Sequence, residues 1–147
     1  MSTWRRRIAR SMETALVDTS GFYALLDRDD QFHQRAAECW RALIGDGRPL
    51  VAHNYVLIET IALAQRRLGP LAVRVLHDDV FPSIRLFWID AFLHAAGMTA
   101  CLAASRRDIS LVDWVSFELM RTHGVQQVFA FDEHFSEQGF VVIPGNI

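Results

Sequence analysis

The chain contains no lysine; all fifteen residues counted as Lys or Arg are arginine. That excludes Walker-type phosphate loops, Schiff-base enzymes and receiver-type phosphoacceptor domains, each of which needs a lysine. Cysteine is scarce: Cys39 and Cys101 lie far apart in helical patterns and read as buried free thiols. The six histidines show neither an HExxH motif nor paired Cys/His spacing, so a zinc site is not expected. No apolar run approaches the roughly 18 residues of a transmembrane helix. The basic start, Trp4 to Arg10, lacks the apolar core of a signal peptide. These absences point to a cytoplasmic protein that does not engage a membrane. A net charge of −2 predicts no nucleic-acid binding from overall charge, although an acidic pocket with a basic rim would average to the same value.

What is present describes one globular domain of 147 residues, 51% hydrophobic and 22% charged. Residues 1–13 read as a basic N-terminal extension, either frayed or an arm contacting phosphates, and residues 14–147 as the domain. The stretch that organises it is Ala15-Leu16-Val17-Asp18, a short apolar run of the kind buried on both faces of a parallel sheet, ending on a carboxylate. Further strands are expected at Pro49–Ala52, Ile84–Ile89, Val128–Phe131 and Phe140–Ile143. Helices are expected over Gly21–Asp27 (capped by Ser20), Gln31–Ile44, Tyr55–Arg67 (capped by Asn54), Leu71–Val80, Ala91–Arg106 (capped by Asp90) and Ser110–His123. A helical turn is expected over Glu133–Gln138. Strands alternating with helices indicate a three-layer α/β domain with right-handed crossovers, and if the first strand is central the switch point lies between it and the fourth.

Two carboxylates end strands in the same manner, Asp18 and Asp132, and adjacent strands would place their Cα atoms about 5 Å apart. Glu59 sits among Val56, Leu57, Ile58, Ile61 and Leu63, where an unpaired carboxylate is costly to bury. Asp113 has capping-box spacing from Ser110, and the same position aims it at a helix entrance. Asp90 also ends a strand but is better explained as a cap; Asp29, Asp30, Asp78 and Asp79 fall in polar breaks. Asp18-Thr19-Ser20-Gly21 is not an aspartic-protease loop, which needs glycine directly after the hydroxyl residue. His134 lies close to Asp132, where it could touch a phosphate, but reads as a surface residue. Phe22, Trp40, Phe87, Trp88 and Phe92 read mostly as core, with an exposed subset available as a partner-binding face. If carboxylates converge, two at about 4 Å repel by about 4 kcal/mol at an effective dielectric near 20. They then share protons or hold a hard divalent cation, and oxygen-only ligands suit Mg²⁺ or Mn²⁺. A water activated there can attack a phosphodiester in line.

Four stretches in order, Val17-Asp18-Thr19-Ser20, Asn54-Tyr55-Val56-Leu57-Ile58-Glu59-Thr60, Leu111-Val112-Asp113-Trp114-Val115-Ser116-Phe117 and Phe131-Asp132-Glu133-His134-Phe135, resemble PIN domains. Within that family the likeness is to VapC-like ribonuclease toxins of toxin–antitoxin pairs, over about residues 14 to 145. The resemblance implies a three-layer α/β/α domain with a five-stranded parallel sheet in the order 3-2-1-4-5. It assigns an acidic quartet to Asp18, Glu59, Asp113 and Asp132, binding Mg²⁺ or Mn²⁺, with Ser20 and Ser116 in support. It also implies an RNA substrate, a homodimer, and a small antitoxin whose arginine-bearing tail enters the acidic pocket. The basic extension departs from the family pattern. A housekeeping or DNA-directed nuclease, and a non-catalytic RNA-binding module, are the alternatives.

Overall fold

The structure, a computed structural model, describes residues 13–145, so the basic extension apart from Glu13 lies outside the described residues. Strand β1 (Ala15–Val17) leads to α1 (Thr19–Leu26) and α2 (His33–Gly45). Then come β2 (Leu50–His53), α3 (Asn54–Leu68) and α4 (Pro70–Val75). Strand β3 (Arg85–Phe87) is followed by α5 (Ala91–Ala104), α6 (Leu111–His123), β4 (Gln127–Phe129), the short α7 (His134–Glu137) and β5 (Val141–Ile143). The five strands form one sheet in the order β3-β2-β1-β4-β5, every pairing parallel, as the family resemblance implies.

All three residues of β1 are fully buried, which is why the run carries no polar alternation. Its side chains divide between two cores. Ala15 and Val17 pack with Phe22 of α1, Ala36 of α2 and Val56 of α3. Leu16 packs on the other face with Leu93 of α5 and Trp114, Phe117 and Met120 of α6. One central strand thereby fixes a helical layer on each side.

Several local expectations are revised. Asp18, not Ser20, caps α1: its side chain accepts the Ser20 N–H, which frees the serine hydroxyl for other bonds. His53, not Asn54, caps α3 through the Val56 N–H, while the Asn54 Oδ1 accepts the Ile89 N–H and ties the end of β3 to α3. The expected helix over Leu71–Val80 is instead α4, a widened turn at Leu76–Val80 and a tight turn at Phe81–Ser83, with Pro82 preventing continuation. Cys39 and Cys101 are free but half-buried. Trp88 and Phe92 are 73% and 75% exposed, so they are not core. Asp90 does cap α5, accepting the Leu93 N–H at 2.8 Å, and Gly124 ends α6 in the left-handed region at φ 67°.

Gly21 is required by the approach of α1 to β4. A Cβ there would lie 2.4 Å from Phe129 Cδ1 and 2.5 Å from the Phe129 carbonyl oxygen, and that carbonyl already accepts the Asp18 N–H. Gly21→Ala is therefore expected to lower stability toward the upper end of the about 1–3 kcal/mol typical of overpacking. Urea denaturation measures this, and a loss under about 0.5 kcal/mol, the scale of a neutral surface change, would contradict the close approach. Gly97 has the same function between α5 and α6, where a Cβ would meet Val115 Cγ2 at 2.5 Å.

Candidate active site

The carboxyl ends of β1 and β4 meet at the point where the strand order reverses, the usual place for a ligand crevice in an open α/β sheet. Asp18 stands one residue beyond the Val17–Phe129 register pair and Asp132 three beyond it. They are therefore offset along the sheet and are not the directly opposed pair that strand ends alone suggested.

Asp18 is only 3% exposed. Its Oδ2 accepts the Ser20 N–H at 3.1 Å and the Ser20 hydroxyl at 2.7 Å. The same Ser20 oxygen accepts the Phe131 N–H at 2.9 Å, so one serine fastens the acid to the chain leading into Asp132. Asp132 Oδ1 accepts the His134 N–H at 2.9 Å. Asp113 is part of the expected capping box: its N–H bonds the Ser110 hydroxyl and its Oδ2 accepts the Ser110 N–H, both at 3.3 Å. The cap and the site are thus compatible uses of one carboxylate.

Electrostatics tie the four acids together. Burial first, and then the charge of Asp113, push the Asp18 carboxyl up to about 7; Asp132 adds to this, while the two bonds from Ser20 oppose it. Burial, Asp132 and Glu59 push Asp113 up to about 6 against the Ser110 bonds. Glu59, half-buried on α3, adds its charge to the rise of the Asp113 carboxyl.

The donor set suits a hard cation. Asp18 Oδ1, Asp113 Oδ1 and Asp132 Oδ2 accept no hydrogen bond among the described residues, so each acid keeps one oxygen for a ligand. A bound divalent ion would also remove the mutual repulsion that lifts Asp18 and Asp113. As the side chains lie, no three His, Cys, Asp or Glu among the described residues stand close enough to share one ion. Asp18, Asp113, Asp132 and Glu59 fit the role by charge and free oxygens.

Ser116 does not touch the acids. It is fully buried, and its hydroxyl lies 2.7 Å from His53 Nε2. Since His53 Nδ1 accepts the Val56 N–H, Nε2 carries the proton and donates to Ser116. Burial lowers the His53 pKa to about 4, so the ring stays neutral and joins the start of α3 to α6, the helices carrying Glu59 and Asp113. The sequence signal was available: a polar residue ends an apolar strand just before a helix, one position earlier than the cap chosen.

His134 lies within an acidic rim beside Asp132. Its Nε2 lies 3.9 Å from both Asp132 Oδ1 and Asp108 Oδ2, and its Nδ1 is 3.4 Å from Glu137 Oε2. Burial alone would lower its pKa, but the charges of Asp132, Glu137 and Asp108 hold it above the ordinary value. Arg106 organises that rim, binding both Asp108 oxygens at 3.0 and 2.6 Å and Glu137 at 3.3 Å.

A parallel 3-2-1-4-5 sheet with acids gathered at its switch point is the layout of a PIN-type α/β domain. The PIN domain pattern matches residues 15–141, and the chain belongs to that family. It is 33% identical over 130 residues to VapC20 of Mycobacterium tuberculosis, a 23S rRNA-specific endonuclease, covering 86% of this chain and 95% of that protein. The crystal structure of VapC20, described as a sarcin–ricin loop cleaving toxin, matches with a TM-score of 0.77 at 31% identity, covering 86% of this chain and 96% of that one. FitAcB from Neisseria gonorrhoeae matches with a TM-score of 0.64 at 16% identity, over 90% of this chain and 96% of its own, which shows the fold alone. DNA-bound VapBC from Salmonella typhimurium does likewise, at 0.63 and 14%, over 89% and 96%. No helix among the described residues is long and apolar enough to cross a membrane.

Proposed function

We propose that this protein is a Mg²⁺- or Mn²⁺-dependent endoribonuclease acting as the toxin of a toxin–antitoxin pair. The observation that carries the reading is the set of mutually repelling acids at the switch point, with Asp18 pushed up to about 7 by burial and by the charges of Asp113 and Asp132. Asp18, Glu59, Asp113 and Asp132 hold the metal. Ser20 fixes the Asp18 carboxylate in one orientation, and Ser116, through His53, fixes α6 against α3. When bound, the ion supplies a Lewis acid for the phosphoryl oxygen and lowers the pKa of a coordinated water. Asp18 and Asp132, just beyond the ends of two adjoining strands, orient that site toward a phosphodiester lying across the strand ends.

Ribosomal RNA is the favoured substrate class, supported by the 33% identity to a 23S rRNA-specific endonuclease over nearly the whole of both chains. A homodimer and a small antitoxin with an arginine-bearing tail complete the proposal; the exposed Trp88 and Phe92 are available to such contacts.

Incubation of the full chain with ribosomes, free RNA and DNA, in Mn²⁺ and in chelator, tests this. Metal-dependent cleavage of 23S rRNA within the sarcin–ricin loop, with DNA intact, is the expected result. Metal binding without RNA turnover would support a non-catalytic RNA-binding module, and preferential DNA cleavage a DNA-directed nuclease.

A further inference from the structure

A cleft of about 560 Å³ opens beside the acidic pocket and shares Ser20 and Asp132 with it. Its other walls include Phe32 and Arg35 of the α2 side, Phe131 after β4, the exposed Glu133, and His134 of α7, so Arg35 faces two carboxylates, Asp132 and Glu133, across the cleft's lining. We propose that this cleft seats the nucleotide adjoining the scissile phosphate of a single-stranded RNA segment, with Arg35 binding its phosphate. The inference rests on the ribonuclease reading above and adds a substrate subsite to it.

Position supports it first. A phosphodiester that reaches Asp132 must carry its next nucleotide along one side of the crevice, and the cleft is an open space on the β4–β5 side. Its volume falls within the about 300–1,000 Å³ usual for small-ligand sites.

Charge supports it next. A pocket of four carboxylates repels a polyanion until a cation nearby compensates. Arg35 is suited to that task. It is the arginine that lines the cleft, and like several other arginines it has no ion pair among the described residues. Its Nη2 donates to the Gly145 carbonyl at 2.5 Å, which anchors the guanidinium and leaves its remaining N–H groups for a ligand. The guanidinium carbon also lies 6.0 Å from the centre of the Phe131 ring.

The apolar part of a nucleotide is provided for as well. Phe32 and Phe131 stack at 4.8 Å with 12° between their planes, forming a rigid two-ring wall. An anchored arginine beside stacked aromatic rings combines the two interactions by which single strands are commonly held, phosphate pairing and stacking. An arginine-bearing peptide matches the carboxylates but would meet like charge at Arg35, so RNA is the better occupant of the cleft.

The test compares wild type, Arg35→Ala and Arg35→Lys in Mn²⁺, with a short fluorescein-labelled single-stranded RNA bearing a sequence the wild type cleaves. Arg35→Ala is expected to raise KM about tenfold with kcat changed less than about twofold, the loss of one charge-assisted contact used in binding. The log–log dependence of RNA affinity on salt is expected to become shallower by about 0.7, the release expected for one phosphate contact on a single strand. Arg35→Lys is expected to restore the salt slope but only part of KM, since it keeps the charge and loses the fork. Arg74→Ala, distant on α4, is the control and should match wild type. The subsite is overturned if Arg35→Ala keeps the wild-type KM and salt slope. It is overturned too if the variant loses affinity only for the antitoxin, which would make the cleft a protein contact. Either outcome with an active wild type leaves the ribonuclease reading standing; a wild type that cleaves no RNA removes both.

Discussion

Asp18→Asn is expected to lower metal-dependent RNA cleavage by at least about a thousandfold, equivalent to about 4 kcal/mol of transition-state stabilisation, while the fold persists. Asparagine has the shape of aspartate and keeps one oxygen to accept both the Ser20 N–H and the Ser20 hydroxyl. The α1 cap and the Ser20 link to Phe131 are therefore retained. What disappears is the negative charge at the centre of the pocket and with it a strong oxygen ligand. Asp90→Asn is the informative comparison, because Asp90 closes an apolar run like the one before Asp18, three residues past β3, yet only caps α5. That variant should lose no more than about 1 kcal/mol of stability and keep its cleavage rate. Cleavage by Asp18→Asn at the wild-type rate, with circular dichroism showing a native fold, would remove the proposed site.

The contrast between Asp18 and Asp90 also shows what the sequence makes readable. The apolar run before Asp18 identifies a strand buried on both sides, and parallel alternation with helices leads to the observed sheet order once the family resemblance is added. Strand ends of similar appearance differ in depth: Asp18 is buried on the central strand, while Asp90 is exposed near the sheet edge. Neighbour pattern alone does not set depth, because it depends on which strand is central. The cap assignments failed for a related reason. Asp18 and Ser20, or His53 and Asn54, are each competent caps by residue type, and only the tertiary partners of the second member decide between them. Ser20 is drawn to Phe131 and Asn54 to Ile89, both far away in sequence. Glu59 and Asp113 reached the pocket on family resemblance, and the structure supplies the physical link, the influence of Glu59 and Asp132 on the Asp113 carboxyl. Arg35 was invisible in the sequence, where it is one polar residue on an amphipathic helix; its anchor is the distant Gly145 carbonyl.

The metal-free protein is expected to lose stability as pH rises from 6.5 to 8, and Mn²⁺ to restore it. Asp18 holds its proton up to about 7 in the fold, against 3.8 for the ordinary group, and Asp113 up to about 6. Between 3.8 and those values the folded chain binds protons that the unfolded chain has released, so raising the pH through that window favours unfolding. For Asp18 the full effect, spread from pH 3.8 to about 7, is at most about 4 kcal/mol, of which about 1 kcal/mol remains to be lost above pH 6.5. His53 acts in the opposite sense: its pKa of about 4 lies below the ordinary 6.5, so its share of stability grows between those limits. The two trends offset each other in mild acid, and only above pH 6.5 does the carboxylate loss stand alone. The raised pKa of His134 works in the same direction as Asp18 there. A divalent ion competes with these protons for the same oxygens, so its stabilisation must grow as they leave. At a hundred times its dissociation constant the ion would return about 2.7 kcal/mol. Urea denaturation in chelator and in Mn²⁺, at pH 6.5 and 8, measures both trends, and Asp18→Asn should flatten each. Stability in chelator that does not fall over this range would show that Asp18 does not keep its proton in the fold. Mn²⁺ stabilising Asp18→Asn as strongly as wild type would show that the acids do not share one cation through Asp18.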